Sequence, residues 1–292
     1  MNNFNARLGL TVAKTIVWLP RPMQYGLGRA LGKILYRFGK RRRHIAEVNV
    51  ALCFPELSKD EQHTMVKKVF AENAIGFIET AVSWFRKPSY SYQHITVEGL
   101  EHLEAAKKLG RGVILVGSHF STLDLGGLLV TAHTELDASY RPQKNKLIND
   151  VMIKSRQRFL DRVISHKNMR EVLRSLKDGH VLWYAPDQDY GPKVSVFAPF
   201  FGINAATIKF TAKLAKFNNS PVVILGHYRK ADDSGYVVSY SKALEGFPSG
   251  DDVADAAQVN EGIEREIRKC PEQYMWVHRR FKTRPEGEDG FY

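Results

Sequence analysis

The sequence predicts an α/β fold with a mostly parallel central sheet flanked by helices. Three observations predict it. Short apolar runs at Val113–Val116, Val181–Tyr184 and residues 222–225 lack the polar alternation of a half-exposed strand, as strands covered on both faces do. Stretches with helical periodicity separate them, the order that builds parallel sheets. No repeat, low-complexity tract or Gly/Ser-rich linker divides the 292 residues, which suffice for one full core and a small appendage.

The appendage lies at the N-terminus. Arg7, Lys14, Arg21, Arg29, Lys33, Arg37, Lys40, Arg41, Arg42 and Arg43 fall in the first 43 residues, which hold no Asp or Glu. The remainder carries 33 Lys or Arg against 31 Asp or Glu, so the net charge of +12 belongs mainly to this segment. Residues 8–19 are apolar apart from Lys14 and two threonines, with Trp18 near the end and Pro20 following. Residues 25–38 place Leu27, Leu31, Ile34 and Leu35 on one helical face and Arg29, Lys33 and Arg37 on the other. Twelve helical residues cover about 18 Å against about 30 Å of hydrocarbon, which favours an interfacial helix over a clean span. The Lys40–Arg43 cluster then meets anionic head groups. Basic residues interleaved with aliphatics argue against a nucleic-acid partner, and a charge within the apolar run argues against a cleaved signal peptide.

Further along, Ser58 caps a helix over 61–85, and a short strand covers 94–97. A helix over 100–109 leads into Val113–Val116, Gly117 ends that strand, and a helix starts at Ser121. A strand follows at 138–141, helices at 146–159 and 168–176, the strand Val181–Tyr184, and a helix at 205–217. Residues 222–225 form a strand, 237–240 a sheet-edge strand, and 255–269 an amphipathic helix. Cys53 and Cys270 supply no disulfide framework and fit a reducing compartment.

Polar residues collect where buried strands end, the place where open α/β sheets bind ligands. His119 stands five residues before Asp124. Within one helix such residues point about 140° apart, so His119 must lie in the preceding turn for the two to meet. A carboxylate holding one imidazole nitrogen leaves the other free to accept a proton. Ser121 and Asp124 also fit a plain capping box, with His119 a polar turn residue. Asp187 and Asp189 follow the strand Val181–Tyr184, and Arg156 and Arg158 precede it as cations for a phosphate or carboxylate. All four equally suit turn-forming acids and solvated helix residues. His-x4-Asp lacks the spacing of a helical metal-binding pair, so no metal is expected. Residues 196–202 are too apolar for an ordinary loop and suit either the wall of a hydrocarbon pocket or the core.

Several segments carry a family resemblance. His119-Phe-Ser-Thr-Leu-Asp124, Tyr140-Arg-Pro142, Trp183-Tyr-Ala-Pro-Asp-Gln-Asp-Tyr-Gly-Pro192, Phe197-Ala-Pro-Phe-Phe-Gly202, Ala205-Ala-Thr207 and the tail from Pro271 to Gly287 resemble the bacterial lipid A late acyltransferases. These belong to the glycerolipid acyltransferase superfamily built on His-x4-Asp/Glu. The likeness runs through nearly the whole chain in order; one departure is Asp124, where many late acyltransferases carry Glu.

The resemblance implies a glycerol-3-phosphate acyltransferase-like fold, with residues 1–45 a membrane-anchoring segment and 46–292 the acyltransferase domain. It implies an enzyme at the cytoplasmic face of the inner membrane. The enzyme moves an acyl chain from acyl carrier protein to a hydroxyl of a 3-hydroxyacyl chain on a Kdo-bearing lipid A precursor, without a cofactor. Arg156 and Asp187 match the family's second and third motif positions, and Arg158 stands in if the alignment shifts by two. In that scheme His119 is the base and Asp124 its brace, and amides opening the Ser121 helix, with an Arg nearby, hold the oxyanion. No Gly-x-Ser-x-Gly elbow is present, and an activated thioester needs no protein nucleophile. A lysophospholipid acyltransferase and a non-catalytic, membrane-docked lipid binder are the alternative readings.

Overall fold

Seven strands form one sheet in the order β1 (Ile95–Glu98), β9 (Tyr236–Tyr240), β8 (Val222–Arg229), β2 (Val113–Val116), β5 (Val181–Tyr184), β3 (Asp137–Tyr140) and β4 (Arg162–Ser165) in a computed structural model that describes residues 3–292. Met1 and Asn2, the head of the expected anchoring segment, lie outside the described residues. Every ladder is parallel except β8 with β9.

The unbroken apolar character of β2 follows from two-sided burial. Ile114 and Val116 join a core built with α3 (Lys40–Cys53), α4 (Lys59–Phe85), α9 (Met169–Lys177), α10 (Phe210–Asn218) and α11 (Asp252–Lys269). Val113 and Leu115 face a second core, under α6 (Leu100–Lys107) and α7 (Leu123–Val130). Alternate side chains thus reach opposite faces and both are dry. Ser58 caps α4 as expected: its hydroxyl accepts from the Glu61 amide while the Glu61 carboxylate accepts from the Ser58 amide.

Several elements depart from the sequence expectation, each for a tertiary reason. Residues 237–240 are not at the sheet edge, because β1 pairs along the outer side of β9. Residues 205–208 are not helical. Ile203–Ile208 (β7) pairs with Ser195–Phe200 (β6) in an antiparallel hairpin, and α10 starts only at Phe210. Strand β4 has no counterpart in the expectation, and the helix at 146–159 ends at Arg156 (α8, Lys146–Arg156). The basic cluster 40–43 forms the first turn of α3.

The N-terminal helices α1 (Asn3–Ile16) and α2 (Arg21–Phe38) carry their apolar residues the opposite way from an ordinary surface helix. α2 lies on α4 through the buried Gly28 and Gly32, while the buried Gln24 holds the carbonyls of Val17 and Leu19 and the Tyr25 hydroxyl meets that of Tyr236. A β-carbon on Gly32 would stand 2.5 Å from the Ala71 Cα and 2.8 Å from the Phe70 carbonyl oxygen, so the helix axes are closer than any side chain allows. With the small face inward, Leu27, Leu31, Ile34 and Phe38 turn outward, joined by Phe4, Leu8, Val12 and Trp18 of α1 and its exit. No helix among the described residues is long and apolar enough to cross a membrane.

Gly32→Val should therefore lift α2 from α4 and cost about 1–3 kcal/mol of stability. Thermal unfolding would register a lower Tm than the parent chain, and limited proteolysis an accelerated cut ahead of α3.

Candidate active site

The strand register builds the site. Val116 pairs with Tyr184 on one side and with Ile224 on the other. Three residues beyond each of these stand His119, Asp187 and His227, so three adjacent strands bring them to one level, the first two just past the carboxyl ends of β2 and β5 and the third still within β8. The outcome is a direct contact: His119 Nδ1 lies 2.6 Å from Asp187 Oδ1. The His119 amide donates to Asp187 Oδ2 at 2.8 Å, and the Tyr274 hydroxyl donates to the same oxygen at 2.9 Å.

The carboxylate on His119 is thus Asp187, and the expected His119–Asp124 pairing is not the one formed. Asp124 instead accepts from Arg156 Nε at 2.7 Å, its side chain turned toward α8. The expected Ser121–Asp124 capping box is also absent. α7 begins at Leu123 with Thr122 at its N-cap and no side-chain cap bond, and Ser121 Oγ has no hydrogen-bond partner among the described residues. The capping geometry is lost because neighbours claim these residues. The Ser121 amide donates to the Gln273 carbonyl at 2.7 Å, and the Thr122 hydroxyl is held by the His227 carbonyl and Nδ1 at 3.0 and 2.9 Å.

Two further residues predicted from sequence have structural duties. Arg158 Nη2 donates to the carbonyls of Ser83 and Arg86, where α4 ends. Asp189 accepts from the Gly191 amide and from both the amide and the hydroxyl of Thr283, tying its loop to the tail. Of the apolar residues 196–202, Ala198, Phe200 and Phe201 are core, and Phe200 and Phe201 join Phe54, Trp276 and Phe281 in one aromatic cluster.

Sequence reading missed the role of the tail. Residues 273–275 run antiparallel to the catalytic turn, with Phe120 bridged to Tyr274 and the Met275 amide donating to the His119 carbonyl at 3.0 Å. Gln273 exchanges two hydrogen bonds with the Arg229 main chain, and Tyr274 reaches Asp187. The sequence signal was the run Tyr274-Met-Trp-Val277 within the tail that carries the family resemblance, but nothing local tied it to His119. From the other side α4 presses on the turn: a β-carbon on Gly76 would collide with the Ser121 carbonyl oxygen.

Electrostatics give the two groups of the pair different states. Burial alone pushes the Asp187 carboxyl up, but His119 and the hydrogen bonds on both oxygens outweigh it and hold the carboxyl down at about 2. Burial pushes the His119 imidazole down, and the charge and hydrogen bond of Asp187 more than reverse this, leaving it above the ordinary histidine value. An ionised carboxylate only accepts, so His119 Nδ1 carries the hydrogen and Nε2 keeps its lone pair when the ring is neutral. Burial, reinforced by the positive charge of His119, lowers His227 to about 4, so that ring stays neutral. Asp187 has no exposed side-chain surface, whereas the His119 side chain retains 20% exposure. A crevice of about 220 Å³ lies beside the pair, lined by Asn49, Gln188, Tyr274, Met275, Trp276, His278 and Arg280.

NMR titration should place the His119 imidazole midpoint above 6.5, and Asp187→Asn should bring it below 6.5, because burial then acts alone. A His119 midpoint indifferent to that substitution would show the pair to be uncoupled. The depressed carboxyl stabilises the fold above about pH 4, and that stabilisation is lost as pH falls toward about 2.

Comparison with known proteins shows the family of the chain. Residues 2–283 match the family described as bacterial lipid A biosynthesis acyltransferase. The chain is 41% identical over 285 residues to the lipid A biosynthesis palmitoleoyltransferase of Escherichia coli K12, covering 97% of this chain and 93% of the relative. It is 40% identical over 286 residues to the lauroyltransferase of the same organism, covering 98% and 94%. With that organism's myristoyltransferase the identity is 28% over 287 residues, covering 98% and 89%. An α/β sheet with a histidine–carboxylate pair at its carboxyl edge, matched along nearly its whole length to these transferases, belongs to the bacterial lipid A biosynthesis acyltransferase family.

Proposed function

We propose that this enzyme transfers a fatty acyl chain from acyl carrier protein to a hydroxyl of a 3-hydroxyacyl chain on a Kdo-bearing lipid A precursor, with His119 as general base and Asp187 as its brace. The observation that carries this reading is the buried carboxylate on Nδ1 of a partly exposed imidazole. Nε2 takes the proton as the acceptor oxygen attacks the thioester carbonyl, and Asp187 stabilises the imidazolium. The ester C–O bond forms, the C–S bond breaks, and the departing thiolate receives the proton held on Nε2. A thioester is already activated, so no covalent acyl-enzyme is required.

Asp124 takes a different part from the one its spacing suggested. It fixes Arg156 against the first turn of α7, where the positive helix end and the guanidinium together favour the carbonyl oxygen as charge develops on it. The donor chain needs more room than the crevice beside His119 gives, so the acyl-binding surface opens as substrate arrives.

The exposed aliphatic face of α1 and α2 supports seating at the cytoplasmic face of the inner membrane. Those helices lie in the interface with Trp18 at head-group level and the Lys40–Arg43 cluster against anionic lipid.

Purified enzyme would be incubated with an acyl carrier protein thioester and either the lipid A precursor or a lysophospholipid, and the lipids weighed by mass spectrometry. The precursor should gain the acyl chain. His119→Ala and Asp187→Ala should each lower turnover by about 10²–10⁴-fold with the secondary structure retained by circular dichroism. If Asp124→Ala proved far more damaging than Asp187→Ala, the brace would have to be reassigned to Asp124. In vesicle flotation, Leu31→Glu with Ile34→Glu should release the protein from phosphatidylglycerol-containing membranes by about tenfold or more while leaving it folded.

A further inference from the structure

The chain pairs most of its partly buried arginines with acids: Arg156 with Asp124, Arg162 with Asp178, Arg229 with Glu72 and Glu79. The arginines around Trp18 are among those that do not. Where α1 hands over to α2 and α4 ends, Arg86 lies with its guanidinium carbon 4.2 Å from the ring centre of Trp18 and 4.2 Å from that of Tyr90. Arg21 lies 5.1 Å from the same Tyr90 ring and donates to the Tyr90 carbonyl at 3.2 Å. Arg158 reaches the Arg86 carbonyl at 2.6 Å. Among the described residues none of the three has a carboxylate within ion-pair distance, and the Arg86 side chain donates to no protein acceptor.

We propose that Arg86, with Arg21 and Arg158 beside it, is a clamp for a phosphate borne on a lipid, namely a phosphate of the glycolipid acceptor. This rests on the preceding reading that the acceptor is a lipid A precursor, a phosphorylated glycolipid. Two aromatic rings hold the Arg86 plane flat and leave its N–H edges unbonded, the fork that phosphate oxygens match in pairs. Neighbouring cations that form no ion pair of their own repel one another, and an anion between them relieves that repulsion. The level suits a head group: Trp18 is 70% exposed and follows α1, and Val12, Met23 and Leu27 of the two N-terminal helices are exposed as well. The clamp is also joined to the reacting centre, because Arg158 follows two residues after Arg156, which Asp124 holds on α7. A phosphate fixed there would set how far along the acceptor the attacked hydroxyl falls.

The test is direct binding, which needs no turnover. Full-length protein would be presented with phosphatidylcholine vesicles carrying the lipid A precursor, the same precursor stripped of phosphate by a phosphatase, or phosphatidylglycerol. Arg86→Gln should weaken binding to the phosphorylated precursor about tenfold and leave the other two surfaces unchanged. Lys108→Gln, which removes a distant exposed charge, should change none of the three. Arg21→Gln gives a second reading should Arg86→Gln not fold. An unchanged affinity, or an equal loss on stripped precursor or on phosphatidylglycerol, overturns the clamp; the last outcome would reduce it to general attraction for anionic lipid. Wild-type protein that binds in a phosphate-dependent way yet transfers no acyl group would refute the proposed reaction and spare the clamp. Normal transfer with Arg86→Gln binding as wild type would do the reverse.

Discussion

A carboxylate with no exposed side-chain surface, Asp187, is the constraint on which the rest of the site depends. An ionised group so placed is tolerable only if its lone pairs are met. The imidazole of His119, the His119 amide and the Tyr274 hydroxyl meet them. Satisfying the acid fixes the base: the ring is oriented, its tautomer is chosen, and its free nitrogen faces outward. The surrounding architecture keeps this arrangement in place, with the tail paired to the catalytic turn on one side and α4 pressed against it at Gly76 on the other.

The same arrangement separates two histidines of identical chemistry. His227 stands at the level of His119 on the neighbouring strand, but its Nδ1 meets only the Thr122 hydroxyl, and burial lowers it to about 4. His119 meets a carboxylate and moves upward. One ring is thereby braced by a carboxylate, as the proposed base requires, and the other is a neutral packing group against Phe120. Partner, not residue type, assigns the role.

Packing of the N-terminal helices follows a different logic. α2 spends its glycines on contact with α4 and turns its leucines outward, an arrangement that is stable only if another apolar phase receives them. The unpaired arginines beside Trp18 lie where such a phase would meet water. In the proposed reading, membrane seating, acceptor capture and proton transfer lie along one path, from α1 and α2 through the end of α4 to the turn at His119.

The sequence by itself determined the α/β class, the buried strands Val113–Val116 and Val181–Tyr184, the Ser58 cap, the basic and apolar N-terminal helices, and the position of His119 at a strand exit. These are local: period, cap chemistry and continuous apolar runs act over a few residues. Only the tertiary structure decided which acid the histidine meets. Asp124 is five residues from His119 and Asp187 is 68 away, and proximity along the chain favoured the former. The β2–β5 register, which no local pattern encodes, brought the distant acid to hydrogen-bond distance, and Arg156 drew the near one aside. The hairpin of β6 and β7 and the interior place of β9 were hidden for the same reason, since strand partners are chosen by the whole sheet and not by the strand.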